Sequence, residues 1–157
     1  MDEPITRRAL IYNSALFFGC ACACRRLSAS EGPRSTNCDT PDLEQDSLVI
    51  GEKSVTIELA KAPSLREVGN AAYLVDREKK LDIIILHAGP DEYRALSRLC
   101  THAYRPISYI RTRRLLMCNN ANHSIFDLDG QVVKGPAPSA IRVYPVKLVD
   151  GKLEITL

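Results

Sequence analysis

The 157-residue chain lacks a strong charge of either sign. Its 21 Lys and Arg against 19 Asp and Glu leave a formal net charge of +2, too little to imply nucleic acid or an anionic membrane surface as a partner. It also lacks a Ser-His-Asp set, a phosphate-cradling glycine loop and a carboxylate pair, which argues against catalysis by side chains alone. There is no internal repeat, and no apolar run of the ~20 residues that a helix needs to cross a bilayer. Nor do the six cysteines form a disulfide framework, which would spread pairs across a small core. Cys20, Cys22 and Cys24 crowd into one pentapeptide, Cys38 stands alone, and Cys100 and Cys118 lie further on. The length suits one ordinary domain plus a tail, and 45% hydrophobic with 25% charged residues are the proportions of a globular domain.

What is present begins with "TRRALIYNSALFFGCACAC", in which Arg7 and Arg8 precede an apolar run from Ala9 to Cys24 broken by Asn13 and Ser14. Paired arginines, a modest apolar middle and small residues at the end are the layout of a twin-arginine export signal. Residues 1–24 are therefore expected to be an export signal or membrane anchor that puts the remainder on the periplasmic, extracytoplasmic face. "FFGC" partly resembles a lipoprotein cleavage box, which would place a lipid on Cys20. From Arg25 onward, "RRLSASEGPRSTNCDTPDLEQD" is rich in Ser, Asp, Glu, Pro and Gly with little to bury, so 25–47 reads as a linker.

Over 48–157 the apolar residues recur at every second position, the period of a strand with one buried face. "SVTIELA" aligns Val55, Ile57 and Leu59, and "KLEITL" aligns Leu153, Ile155 and Leu157. "LDIIIL", from Leu81 to Leu86, is continuous and reads as a central strand. Turns fall between these runs at "REKK", "HAGPDE" and "LDG", and Asp150-Gly151 is a strong hairpin signal. Only "PSLREVG" reads as a helical turn. The expected domain is all-β, with short antiparallel strands and with function carried by the loops between them.

Two such loops flank the basic segment "RTRRLL" and carry Cys100, His102, Cys118 and His123. Thiolate with imidazole selects zinc, copper or iron–sulfur over oxygen-loving ions. Two Cys and two His suit a tetrahedral zinc site or a two-iron cluster with thiolates on one iron and imidazoles on the other. His87, before a Gly-Pro turn, reads as a surface residue.

Cys100-Thr101-His102, Phe126-Asp127-Leu128-Asp129-Gly130 and Gly135-Pro136-Ala137-Pro138 together resemble the Rieske [2Fe-2S] family, and the likeness runs from about Val55 to the C-terminus. The resemblance implies a small antiparallel sandwich with two cluster-binding loops, a [2Fe-2S] cluster as cofactor, and Cys100, His102, Cys118 and His123 as its ligands. It also implies a Pro loop that closes over the cluster. The family's second motif is Cys-x-x-His-Gly-Ser, whereas here Asn119, Asn120, Ala121 and Asn122 separate Cys118 from His123. Counting back from Phe126 without a gap puts Asn122 at the family's His and Asn119 at its Cys. Two readings stay open: an enlarged loop in which Cys118 and His123 still converge, or a scaffold whose ligands have drifted.

The loop-tying disulfide of quinol-oxidising members has no counterpart, since Arg105 stands at its first position. The loops are therefore expected to be held by packing. Phe126 stands where high-potential members carry Tyr, which implies a lower potential. Ser124 retains the hydroxyl that the family gives to a bridging sulfide. The expectation is an exported, membrane-tethered electron carrier, a component of a cytochrome bc-type or other oxidoreductase, with a cytochrome or oxidoreductase subunit as redox partner. Arg105, Arg111, Arg113 and Arg114 are candidates for docking it. The alternative is a module on the same scaffold that has lost the cluster or binds zinc.

Overall fold

A computed structural model describes residues 40–157; the expected export segment and residues 25–39 of the expected linker lie outside the described residues. The strands are β1 (Leu48–Ile50), β2 (Ser54–Glu58), β3 (Ala71–Asp76), β4 (Leu81–Gly89), β5 (Glu92–Ser97), β6 (Ile107–Ile110), β7 (Leu115–Cys118), β8 (Ile125–Phe126), β9 (Val132–Lys134), β10 (Val143–Tyr144), β11 (Val146–Val149) and β12 (Lys152–Thr156). They form three four-stranded sheets in the orders β1-β2-β12-β11, β10-β5-β4-β3 and β6-β7-β8-β9. All strand pairings within them are antiparallel, so the expectation of an all-β antiparallel domain holds.

The alternating segments behave as their period requires. Val55 and Ile57 on β2 and Leu153 and Ile155 on β12 are fully buried, and the two strands pair Ile57 with Leu153 and Val55 with Ile155. Leu59 leaves the strand for a 3-10 turn over Leu59–Lys61. Asp150 (φ 48°) and Gly151 (φ 73°) join β11 to β12, two left-handed residues whose twist matches that of the strands they connect. "PSLREVG" contributes a 3-10 turn over Pro63–Leu65, with proline at its start and Leu65 buried.

The β10-β5-β4-β3 sheet lies between the other two, which explains the unbroken "LDIIIL". One of its faces gives Ala72, Leu74, Ile83, Ile85 and Ala95 to a core shared with Val55, Ile57, Leu153 and Ile155. Its other face gives Ala71, Ile84, Leu86 and Leu96 to a second core with Ile107, Tyr109, Leu116 and Phe126. Alternate residues of β4 thus bury in opposite directions, each fully buried Ile or Leu contributing about 1.5–3 kcal/mol. Cys100 and Cys118 belong to the second core, so the site loops rest on a wall of aliphatic side chains.

The last residues of the expected linker pack on this fold. Leu43 is buried in the first core, its N–H donates to the Tyr73 carbonyl at 2.7 Å, and the Tyr73 N–H donates to Pro41 at 2.9 Å. His87 differs from its expectation as a surface residue. It is buried, stacked on Tyr93 with ring centroids 4.4 Å apart, and its Nδ1 meets the Leu65 carbonyl at 2.9 Å. His87 stands directly opposite Tyr93 in the β4–β5 pairing, just before a bulge between His87 and Gly89, so the two rings meet as cross-strand neighbours.

Candidate metal centre

The first site loop leaves the end of β5. It is closed at its base by the Cys100 N–H donating to the Arg105 carbonyl at 3.0 Å, and internally by the Tyr104 N–H donating to the Cys100 carbonyl at 2.9 Å. Tyr104 holds φ 52°, a left-handed step that turns the chain back within four residues. The turn aims the N–H groups of His102 and Ala103 at the Cys100 sulfur.

The second loop starts at Cys118, the last residue of β7, which pairs with Ile107 across the hairpin. The Cys118 N–H donates to Ser124 O at 2.9 Å and the Asn119 N–H to Pro106 O at 3.0 Å, while the Asn119 side chain bonds Ser108 Oγ at 2.9 Å. The His123 N–H donates to Asn120 O at 3.1 Å. This closed turn over 120–123 takes up the extra length between Cys118 and His123. Here too backbone donors, the N–H groups of Asn120 and Ser124, face the ligand sulfur.

A third segment covers both loops. Thr101 Oγ1 donates to Ser139 O at 2.8 Å, and the Ala137 N–H donates to Ser124 Oγ at 3.1 Å. Gly135 at φ 106° comes so close to the second loop that a Cβ there would lie 2.6 Å from His123 O. Without a disulfide, the loops are held by these directed bonds as well as by packing. Thr101, Ser108 and Ser139 carry no sequence signal for this role, because their partners lie up to 38 residues away.

Of the four expected ligands, three meet. Cys100 Sγ, Cys118 Sγ and a ring nitrogen of His102 lie within 4.8 Å of one another, with His102 Nδ1 at 3.6 Å from Cys100 Sγ. Both cysteines are free thiols and fully buried. His123 lies outside this close group, half-buried, with Nδ1 at 3.0 Å from the Cys118 carbonyl. Burial pushes the Cys100 thiol up, but the N–H groups of His102 and Ala103, the His102 ring and the Cys118 thiol outweigh it and leave it lowered. Burial together with the Cys100 sulfur pushes Cys118 up to about 11. A thiolate on one sulfur opposes a second on the other, a barrier that a bound cation removes. Among the docking candidates, Arg111 pairs with Glu67 at 3.6 Å and Arg114 bonds the Ala88 carbonyl.

Two buried thiols with amide donors trained on each sulfur, an adjacent imidazole and a second imidazole on the neighbouring loop define a thiolate–imidazole metalloprotein. The donor set fits a cluster that takes thiolates on one iron and imidazoles on the other. The sequence matches the Rieske [2Fe-2S] domain over residues 52–145, more than half of the chain. The chain belongs to that family, and its cofactor is a [2Fe-2S] cluster.

One relative is the cytochrome b6-f complex iron-sulfur subunit of Chlorobaculum tepidum, 27% identical over 75 residues that make up 48% of this chain and 40% of that protein. The match thus spans about two fifths of that relative's length. Among solved structures, the cyanobacterial plasma membrane Rieske protein of Synechocystis PCC 6803 aligns with a TM-score of 0.49 at 16% identity, covering 55% of this chain and 86% of that one. The ferredoxin of carbazole 1,9a-dioxygenase from Nocardioides aromaticivorans IC177 aligns with a TM-score of 0.47 at 18% identity, covering 57% and 86%. Among the described residues, no helix is long and apolar enough to cross a membrane.

Proposed function

We propose that the chain is a one-electron carrier, exported and tethered to a membrane, that serves as the iron–sulfur component of a cytochrome bc-type or other extracytoplasmic oxidoreductase. Cys100 and Cys118 hold one iron and His102 and His123 the other. When bound, the cluster supplies reversible one-electron redox chemistry. The chain supplies the rest. The N–H groups of His102 and Ala103 near Cys100, and of Asn120 and Ser124 near Cys118, favour negative charge on the two ligand sulfurs. Phe126, fully buried, brings no hydroxyl to the sulfurs, which favours the oxidised form and a lower potential. Ser124 Oγ accepts from Ala137 and keeps its own proton to donate.

The observation that carries this reading is the meeting of Cys100, His102 and Cys118 donor atoms within 4.8 Å in a chain of this family. Arg7 and Arg8 ahead of the apolar run Ala9 to Cys24 support export and tethering. The resemblance to a cytochrome b6-f subunit supports a cytochrome-containing complex as partner. Exposed Arg105 and Arg113 suit an acidic face on that partner.

The test is the visible absorption and electron spin resonance of the purified, dithionite-reduced chain. A rhombic signal of low average g, two irons and two sulfides per chain is the expected result. A colourless protein holding one zinc ion would refute the carrier and establish the alternative module, which the compact three-donor group also suits.

A further inference from the structure

Asp82 and Arg98 face each other at the root of the first site loop, with Asp82 Oδ1 2.8 Å from Arg98 Nε and side chains only 22% and 17% exposed. Their backbones are joined as well, the Arg98 N–H donating to the Asp82 carbonyl at 2.9 Å. The guanidinium carbon lies 4.2 Å from the centroid of the Tyr73 ring, and Tyr73 packs against the core that contains Cys100 and Cys118. The Arg98 carbonyl in turn accepts the Ile107 N–H at 2.7 Å, and Ile107 pairs with Cys118. One residue thus grips β3 and β4 with its side chain and β6 with its backbone. It does so two positions ahead of Cys100, so the two Cα atoms are at most about 7 Å apart.

A mostly buried ion pair is a poor means of stabilisation, because apolar side chains of similar volume do as well or better. What it does supply is fixed charge beside a site where charge changes. Balanced, the two charges nearly cancel at a distance; with one removed, the other acts alone across a core of low dielectric. We propose that the Asp82–Arg98 pair is the positioning and charge-balancing element of the metal centre. The guanidinium, stacked on Tyr73, holds the chain entering the first loop, and Asp82 cancels the positive charge that would otherwise favour the reduced state. This rests on the reading of the chain as an electron carrier.

The test is an optical redox titration of the cluster-loaded full chain at neutral pH, with iron loss to a chelator followed in parallel. Asp82→Asn leaves the guanidinium uncompensated, and at a fixed solution potential the ratio of reduced to oxidised cluster is expected to rise about threefold or more. Arg98→Met leaves the carboxylate alone and is expected to lower that ratio by a similar factor. Arg98→Lys keeps the charge but not the planar stack, so it should hold the wild-type ratio while losing iron faster. A purely structural pair would speed iron loss in all three variants without moving the ratio, or would move it in one direction throughout; either result overturns the inference. An Arg98→Lys variant that shifts the ratio as Arg98→Met does overturns it too. Where Arg98→Met fails to fold, Asp82→Asn decides: a higher ratio upholds the inference, and an unchanged or lower one overturns it. A wild-type chain that takes up no cluster removes the carrier and this inference with it, whereas a cluster indifferent to Asp82→Asn removes this inference alone.

Discussion

Replacing Gly135 with Ala should cost far more than the methyl group suggests, and a second glycine supplies the yardstick. Gly135 (φ 106°) and Gly151 (φ 73°) both hold left-handed backbone, where an L side chain costs about 1–2 kcal/mol. They differ in surroundings. A Cβ at Gly151 meets nothing within 4 Å, whereas at Gly135 it would lie 2.6 Å from His123 O and 2.7 Å from the Ser124 Cα. Those are backbone atoms of a loop already fixed by hydrogen bonds, so relief requires displacing the loop, and overpacking of this kind adds about 1–3 kcal/mol. The sum is about 2–5 kcal/mol for Gly135→Ala against about 1–2 for Gly151→Ala. In thermal unfolding of the cluster-loaded protein this corresponds to a melting temperature lower by roughly 10 °C or more, against roughly 5 °C for the hairpin variant. The visible spectrum supplies the second readout, since only the Gly135 variant presses on the loop that carries His123. Equal losses in the two variants would refute the steric argument and with it the role of the Gly-Pro segment as a clamp.

The two cores make separate predictions. Leu116→Ala and Leu153→Ala each empty a fully buried site and should each cost about 2–5 kcal/mol in urea unfolding, but only Leu116, in the core that includes Cys100 and Cys118, should speed cluster loss on incubation with a chelator. A third concerns Asp82, whose Oδ1 lies 2.8 Å from Arg98 Nε but out of hydrogen-bond alignment. Burial raises its carboxyl above the ordinary 3.8 despite the Arg98 charge. A raised carboxylate pKa means that the folded state binds the proton more tightly. Its contribution is therefore full below 3.8 and declines as pH rises through the window between that value and the folded one. Asp82→Asn should flatten that decline in urea titrations from acid to neutral pH, and an unchanged profile would assign it to other carboxylates.

Much of this architecture is written locally. The alternation in "SVTIELA" and "KLEITL" and the Asp150-Gly151 turn depend on neighbours in the chain, and the strands and hairpin formed where these signals placed them. "LDIIIL" was legible as central, though that it serves two cores became visible only with both outer sheets in place. In the site, Cys-Thr-His and the later Cys marked three donors that the fold brings together. What escaped was set by distant partners. The inward turn of His87 depends on Leu65 and Tyr93, the packing of Leu43 on Tyr73, and the ring orientation of His123 on a carbonyl five residues back. Such bonds have no signature in residue spacing, because each depends on a partner that only the folded chain brings near.

The sheet shared between two cores carries a consequence for how this chain can vary. Ile83 and Ile85 answer to one neighbour sheet and Ile84 and Leu86 to the other, so a one-residue slip of β4 would exchange both sets at once. No compensating change on a single side could repair it. The strand therefore acts as a ruler for the whole molecule: drift in the outer sheets is tolerated independently, while the spacing between the site loops and the far sheet stays locked to a single register.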